Sequence, residues 1–342
     1  MEKIFIVGSG IASLVIGRLF KDSGDYVEIW EKENVGYYGL CSDYFDKKSH
    51  LYISRFGPRI YHEKRNQKYL SNFLKRFTKF NNYSHQVLSI YDDGLSYWPP
   101  SNKDLELLKL LKVSNKKFKE NFIYNYSKKQ WGDNYLEITE KIRNRFKLKN
   151  KRNNNFFNGE FQGIPIGGYS KMLKNMSKGI KIINNRKIDI NVIINKLNKF
   201  DYVFCSSSMD EFFKYKFGSL EYMTVDFEFK NIKSDSNILP TAVVNLPNHK
   251  TITRVSEYNQ FYNNNNKNRI LGIEKPRLAN KGDLKIYPVL TMRNLNLLNK
   301  YKKYSKRFKN LFFIGRLGNY KYFNLNDVVE NSMKLYNKLN IK

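Results

Sequence analysis

Residues Lys3 to Phe20 read KIFIVGSGIASLVIGRLF: an apolar run from Ile4 to Val7, a tight Gly8-Ser9-Gly10 turn, and a helical pattern beginning near Ala12. An apolar run this short, bounded by glycine, reads as a strand buried on both faces. The turn after it suits a dinucleotide, because only residues without side chains let backbone amides approach a pyrophosphate at a helix N-terminus. Ser13 occupies the third glycine position and is small enough for close helix packing. A second strand, VEIWEK, closes on Glu31 about 20 residues after the turn, the distance at which such folds place a ribose-binding carboxylate. An acid there favours a ribose hydroxyl over a phosphorylated ribose, so FAD or NAD suits the site better than NADP.

The far end of the chain carries a matching piece. NLFFIGRLGNY (310–320) is another buried-strand pattern running into Gly315-Arg316, and NLNDVVENSMKLYNKL (324–339) reads as a helix. DYVFC (201–205) resembles a buried strand returning to the same unit. Between them, 104–146 has helix-like apolar spacing, and from Phe156 the text turns strand-like, with TVDFEF, TAVVNL and TITRVSEY spaced as a sheet would be.

Composition sets outer limits. A chain of 342 residues with 41% hydrophobic and 15% aromatic residues can bury a large core and form two or three subdomains. No apolar stretch approaches the roughly 20 residues of a membrane span, and Met1-Glu2-Lys3 leads straight into a core strand, so a cytoplasmic protein without membrane attachment is expected. Cys41 and Cys205 lack metal-type spacing, and no metal is expected. The net charge of +30 raises nucleic-acid binding, but Lys and Asn are spread along the whole chain and no binding motif accompanies them. A general bias toward Lys and Asn explains the charge more simply, and positive potential would still attract a small diphosphate.

Tyr126 and Trp131, followed by Arg145 and Lys149, suit base stacking and phosphate clamping, and on their own they equally suit a core helix followed by a solvated charged face. Read in order, GSGIAS, Glu31-Lys32, FGPRIYH, YSKKQWG, FQGIPIGGY, DEFFKYKFGSLEY, TRVSEY, YPV and GRLGNYKYFN resemble the UDP-galactopyranose mutase family over nearly the whole chain. The resemblance implies an α/β fold: a Rossmann-like FAD-binding domain (1–98 with about 177–218 and 305–342), a short helical insertion domain (99–150) and an antiparallel β-sheet domain (151–176 and 219–304). It implies a flavoenzyme that interconverts pyranose and furanose forms of a UDP-sugar through a covalent sugar adduct of reduced FAD, with NAD(P)H or another reductant supplying electrons. Such covalent catalysis splits one difficult rearrangement into two displacements. A homodimer is also implied, although the short helical insertion bears on that contact. Two other readings share the N-terminal fingerprint: an FAD-dependent oxidoreductase of the amine oxidase or desaturase type, and an inactive flavin- or nucleotide-binding homologue.

Carried to matching positions, the resemblance gives FAD to Gly8, Gly10, Ile11, Ala12, Glu31, Lys32, Gly57, Arg316 and Asn324. It places Tyr126, Trp131, Phe157 and Gln162 around the uridine, Phe156 on the phosphate side, Arg145 on the loop that closes over substrate, and Arg254 at the diphosphate beside the hydroxyls of Tyr287 and Tyr322. Arg59, His62, Arg145 and Arg254 are the expected catalytic positions. His85, His249 and His50 are expected to be surface or packing residues, and Trp98 a core aromatic. The chain departs from the family pattern mainly on the sugar side: Arg59 replaces a histidine, Asn324 an acid, Ser101 an asparagine, Phe156 a tyrosine and Met223 an arginine. Such changes alter the hydrogen-bond inventory around a hexose and fit a different sugar, for example a deoxyhexose or pentose, as well as galactose.

Overall fold

The computed structural model describes residues 1–91, 94–99, 124–132, 154–157, 159–186 and 188–340. Lys3–Val7 lies near the middle of a five-stranded parallel sheet whose order is Leu311–Phe313, Tyr202–Cys205, Lys3–Val7, Tyr26–Trp30 and Lys181–Ile183. Its side chains alternate between two cores. Ile4 and Ile6 face the apolar stripe of the Ile11–Asp22 helix, whereas Phe5 and Val7 pack with Leu311, Phe212 and Tyr301. Burial on both faces is what the continuous apolar run requires.

The two chain ends meet as the sequence implies. Leu311–Phe313 pairs in parallel with Tyr202–Cys205, and the C-terminal helix Leu325–Asn340 packs on Ile11–Asp22, where the Ser332 hydroxyl donates to Ala12 O at 3.3 Å. Ser13 is fully buried in that helix, as expected for the third small position.

The second sheet has seven strands, in the order Tyr287–Pro288, Tyr222–Lys233, Asn268–Leu278, Arg254–Glu257, Val243–Asn245, Val87–Tyr91 and Gly94–Tyr97. This corrects the sequence reading in three ways. Val87–Tyr91 pairs in parallel with Val243–Asn245, so the sheet is mixed rather than antiparallel. The strands within 87–97 belong to this sheet and not to the dinucleotide unit. The Gly168–Met176 helix, expected with the second sheet, packs against Ile11–Asp22 and Asp43–Asp46, because buried Tyr169, Met172, Leu173 and Met176 complete the first core. Most of the expected helical insertion, with Ser101 and Arg145, lies outside the described residues. No described helix is long and apolar enough to cross a membrane.

Candidate functional site

A cleft of about 1440 Å³ runs from the glycine turn to the second sheet. At its first end, Gly8 has φ +88°, and a β-carbon there would stand 2.3 Å from Ser206 Oγ. Gly10 caps the Ile11–Asp22 helix from extended backbone, and a β-carbon on it would project into open space. The turn therefore presents bare backbone at a helix N-terminus, the arrangement that accepts a pyrophosphate. Ile11 and Ala12 continue this wall. Buried Glu31 lies beside it and accepts from Ser9 N (2.6 Å), Ser9 Oγ (2.8 Å) and Glu33 N (3.0 Å). Its carboxylate thus ties the turn to the end of the second strand, with Lys32 at the cleft margin. The bare cradle, the carboxylate and the helix N-terminus fit a flavin dinucleotide.

Gly57 and Gly315 bring two more loops to the middle of the cleft. Both have positive φ, and side chains there would press on Phe227 and Glu274 or on Ala12. Arg59 Nη1 donates to Phe56 O and Gly57 O, both at 2.9 Å, so its charge is fixed on the loop that carries it. Arg316 donates to Ile286 O at 3.2 Å and Phe323 O at 2.7 Å, with its Cζ 5.4 Å from the Tyr287 ring centre and 5.1 Å from that of Tyr322. Among the described residues neither arginine is in a salt bridge. Burial lowers the Arg316 pKa, against a raising influence from the two tyrosines. Asn324 caps the C-terminal helix: its carbonyl accepts from Val328 N, and its own N–H donates to Asp327 at 3.0 Å.

At the far end, Arg254 Nε stands 3.3 Å from Glu274 Oε2 across paired strands, with its Cζ 6.0 Å from the Tyr126 ring centre. Burial alone would lower the Arg254 pKa, but Glu274 and the surrounding tyrosines hold it above the usual value. Burial raises Glu274, with Arg254 and Arg59 pulling the other way. Tyr287 and Tyr322 stack 5.9 Å apart at 24°, and burial raises the Tyr287 phenol. His62 stacks on Phe157 at 3.7 Å and 9°, and Phe156 meets Phe157 edge-on at 4.8 Å. Burial pushes the Tyr126 phenol up to about 12, so it stays a neutral hydrogen-bonding group at physiological pH.

Two expected wall residues are elsewhere. Trp131 is fully buried behind the wall, with ring centres 5.5 Å from Tyr287 and 5.4 Å from Tyr322, so it supports the tyrosine pair from inside. Gln162 also lies off the cleft: its Oε1 accepts from His85 N at 2.9 Å and its Nε2 donates to Ser84 Oγ at 3.2 Å. Conversely, His85, Trp98, Asn245 and Glu274 line the cleft without having been expected there. His85 is buried and shares a 2.9 Å hydrogen bond with the Tyr83 hydroxyl, the packing alternative of the two expected for it.

The arrangement combines a dinucleotide cradle with a second compartment of arginines and stacked rings, which matches chemistry on an anionic, ring-bearing substrate beside a flavin. Comparison with known proteins agrees. The family model for UDP-galactopyranose mutase matches residues 121–322, and that for an NAD(P)-binding Rossmann-like domain matches 6–77. The chain is 27% identical to the dTDP-fucopyranose mutase of Escherichia coli, over 98% of this chain and 97% of that protein. It is 28% identical to the UDP-galactopyranose mutase of Mycoplasma genitalium, over 97% and 93%. Its fold superposes on a crystal structure of reduced UDP-galactopyranose mutase with a TM-score of 0.69 at 12% identity, covering 99% of this chain and 94% of that one. An oxidoreductase from Methanosarcina mazei shares the fold at a TM-score of 0.58 and 13% identity, over 98% and 100%. With the mutase model spanning more than half of its length, the chain belongs to the UDP-galactopyranose mutase family and is a flavin-dependent mutase of nucleotide sugars.

Proposed function

We propose that this mutase interconverts the pyranose and furanose forms of a pyrimidine nucleoside-diphosphate hexose, with UDP-galactose or a dTDP-deoxyhexose as the substrate class. The observation that carries the reading is the continuity of one cleft from the Gly8–Gly10 turn, past Arg59 and Arg316, to Arg254 and the Tyr287–Tyr322 pair. Gly8, Gly10, Ile11 and Ala12 would hold the FAD pyrophosphate, Glu31 with Lys32 its ribose, and Gly57, Arg316 and Asn324 the remainder. When bound and reduced, FAD supplies the nucleophile for the anomeric carbon.

The protein's own groups bind and orient. Arg254 would face the diphosphate while its Nε lies 3.3 Å from Glu274 Oε2 as an ion pair, and the guanidinium nitrogens would be offered to phosphate oxygens. Tyr287 and Tyr322 supply hydroxyls beside it, and Tyr126 and Phe157 offer faces for the base. Arg59 and His62 flank the sugar and flavin. Arg145 is assigned to the loop that closes over substrate by the family resemblance. A permanent cation at position 59, where the family pattern has histidine, supports a hexose with a different hydroxyl pattern.

The test is chromatography of UDP-galactofuranose and dTDP-fucofuranose after incubation with dithionite-reduced protein, with oxidised protein as control. Reduction-dependent formation of either pyranose is expected. If a flavin-loaded protein converts neither and binds neither UDP nor dTDP, the reading fails.

A further inference from the structure

Lys129 lies on the Asn125–Trp131 helix and points away from the cleft, yet its ammonium is held by three carbonyl acceptors. Its Nζ donates to Leu246 O (2.5 Å), His249 O (2.8 Å) and Ile252 O (2.8 Å). An ammonium has three hydrogens, and three carbonyls receive them. These acceptors belong to the turn joining Val243–Asn245 to Arg254–Glu257, and the turn is shaped independently of the lysine. Leu246 N donates to Thr253 O at 2.8 Å, and the His249 ring nitrogen accepts from Thr251 N (3.1 Å) and Ile252 N (2.9 Å). Asn125 adds a second tie to the same turn, donating to Asn248 Oδ1 at 3.0 Å. Burial lowers Lys129 to about 8, which leaves it largely an ammonium at neutral pH.

The two elements joined here carry the two halves of one wall. The helix presents Tyr126 and Gln130 to the cleft, and the strands flanking the turn present Asn245 and Arg254. Across the junction of these elements the Arg254 Cζ lies 6.0 Å from the Tyr126 ring centre, so the two side chains face each other from separate segments. We propose that Lys129 is a positioning residue for nucleotide binding: its ammonium, held in a tripod of carbonyls, keeps Tyr126 and Arg254 in register to take the base and diphosphate together. The inference rests on the nucleotide-sugar reading of that wall. A compact ammonium fits a three-carbonyl tripod, whereas a planar guanidinium does not.

The experiment compares wild type, Lys129→Ala and Lys129→Arg as flavin-loaded, reduced proteins, titrated with UDP and with dTDP. Lys129→Ala is expected to weaken nucleotide binding about tenfold, as the loss of charge-assisted hydrogen bonds implies. Flavin content should stay unchanged, and KM for the sugar nucleotide should rise more than kcat falls. Methylammonium chloride should restore most of the affinity where sodium chloride and guanidinium chloride do not, because only the first refills the tripod. Lys129→Arg keeps charge and bulk and should remain weakened without a response to methylammonium; it also serves if Lys129→Ala does not fold. Affinity within about twofold of wild type in Lys129→Arg, or loss in Lys129→Ala that methylammonium does not reverse, overturns the proposal. If the wild type itself binds neither nucleotide, the functional reading fails first and takes this role of Lys129 with it.

Discussion

Removing Arg254 should damage the protein in a pH-dependent way, because it strands a buried carboxylate. Glu274 is 6% exposed, and its Oε2 lies 3.3 Å from Arg254 Nε. At that separation the attraction is about 5 kcal/mol for an effective dielectric of about 20, set against a desolvation cost of several kcal/mol per ion. Breaking such a pair from one side typically costs about 3–5 kcal/mol, since the remaining charge is buried without compensation. Arg59 still acts on Glu274 after the substitution, which places the expected loss near the lower end, about 3 kcal/mol. For 342 residues, with an unfolding entropy of about 2.1 cal/mol/K per residue, this is a fall in Tm of about 4 °C.

The pH dependence has a definite sign. Burial raises the folded pKa of Glu274 above the ordinary carboxylate value, so the folded state holds more protons than the unfolded one between the two values. Stability therefore falls as pH rises from the unfolded pKa through the folded one. Losing Arg254 raises the folded value further and steepens that fall. The assay is thermal unfolding of Arg254→Ala and of Arg254→Ala/Glu274→Gln at pH 5 and pH 8. The single variant should show the larger deficit at pH 8, and the double variant should recover most of it at pH 8 and little at pH 5. Equal deficits in both variants at both pH values would refute the argument that the Arg254–Glu274 pair governs this region.

Gly8→Ala must place a side chain at φ +88° and 2.3 Å from Ser206 Oγ, displacing a hydroxyl that donates to Val7 O; the expected cost is about 2–3 kcal/mol, with flavin lost on purification, and full flavin absorbance relative to protein would contradict it. Trp131→Leu removes the support behind Tyr287 and Tyr322, and should lower stability by about 2–4 kcal/mol, measured as Tm, with less than about a threefold change in UDP affinity. An unchanged Tm with collapsed affinity would put Trp131 back on the cleft wall. Arg59→His replaces a fixed cation by a titratable ring and should shift the ratio of kcat/KM for dTDP-fucofuranose over UDP-galactofuranose or the flavin midpoint potential; if neither moves, Arg59 has no part in the chain's divergence.

What could be read from the sequence follows from how local each requirement is. The glycine turn, Glu31 and the strand before Gly315 announce themselves because a backbone conformation or a buried run fixes the residue type at consecutive positions. Glu274 was not legible. It lies on a strand of ordinary appearance, and its meaning comes from the register that sets it opposite Arg254. His85 and Trp98 were hidden for a related reason: the 87–91 strand reaches the cleft by pairing with Val243–Asn245, far away in sequence. Trp131 was misplaced although helical geometry could have decided it. Tyr126 and Gln130 are four apart and share a face, while position 131 is turned about 100° further and points into the core.

The charges explain why this cleft suits a diphosphate better than a neutral substrate to be oxidised. Arg59, Arg254 and Arg316 are held in its middle and far end, and Glu274 is the carboxylate placed among them. Among the described residues Arg254 is paired with Glu274 while Arg59 and Arg316 are in no salt bridge, which leaves local positive potential around this part of the cleft. Among the described residues Arg59 and Arg316 are anchored to backbone carbonyls, and Arg316 also to two rings, partners that fix position without forming an ion pair. A diphosphate bound here would meet that potential and gain affinity from it. A hydride-transferring site for a neutral or cationic amine would gain nothing from that potential, and three arginines there would oppose the cation.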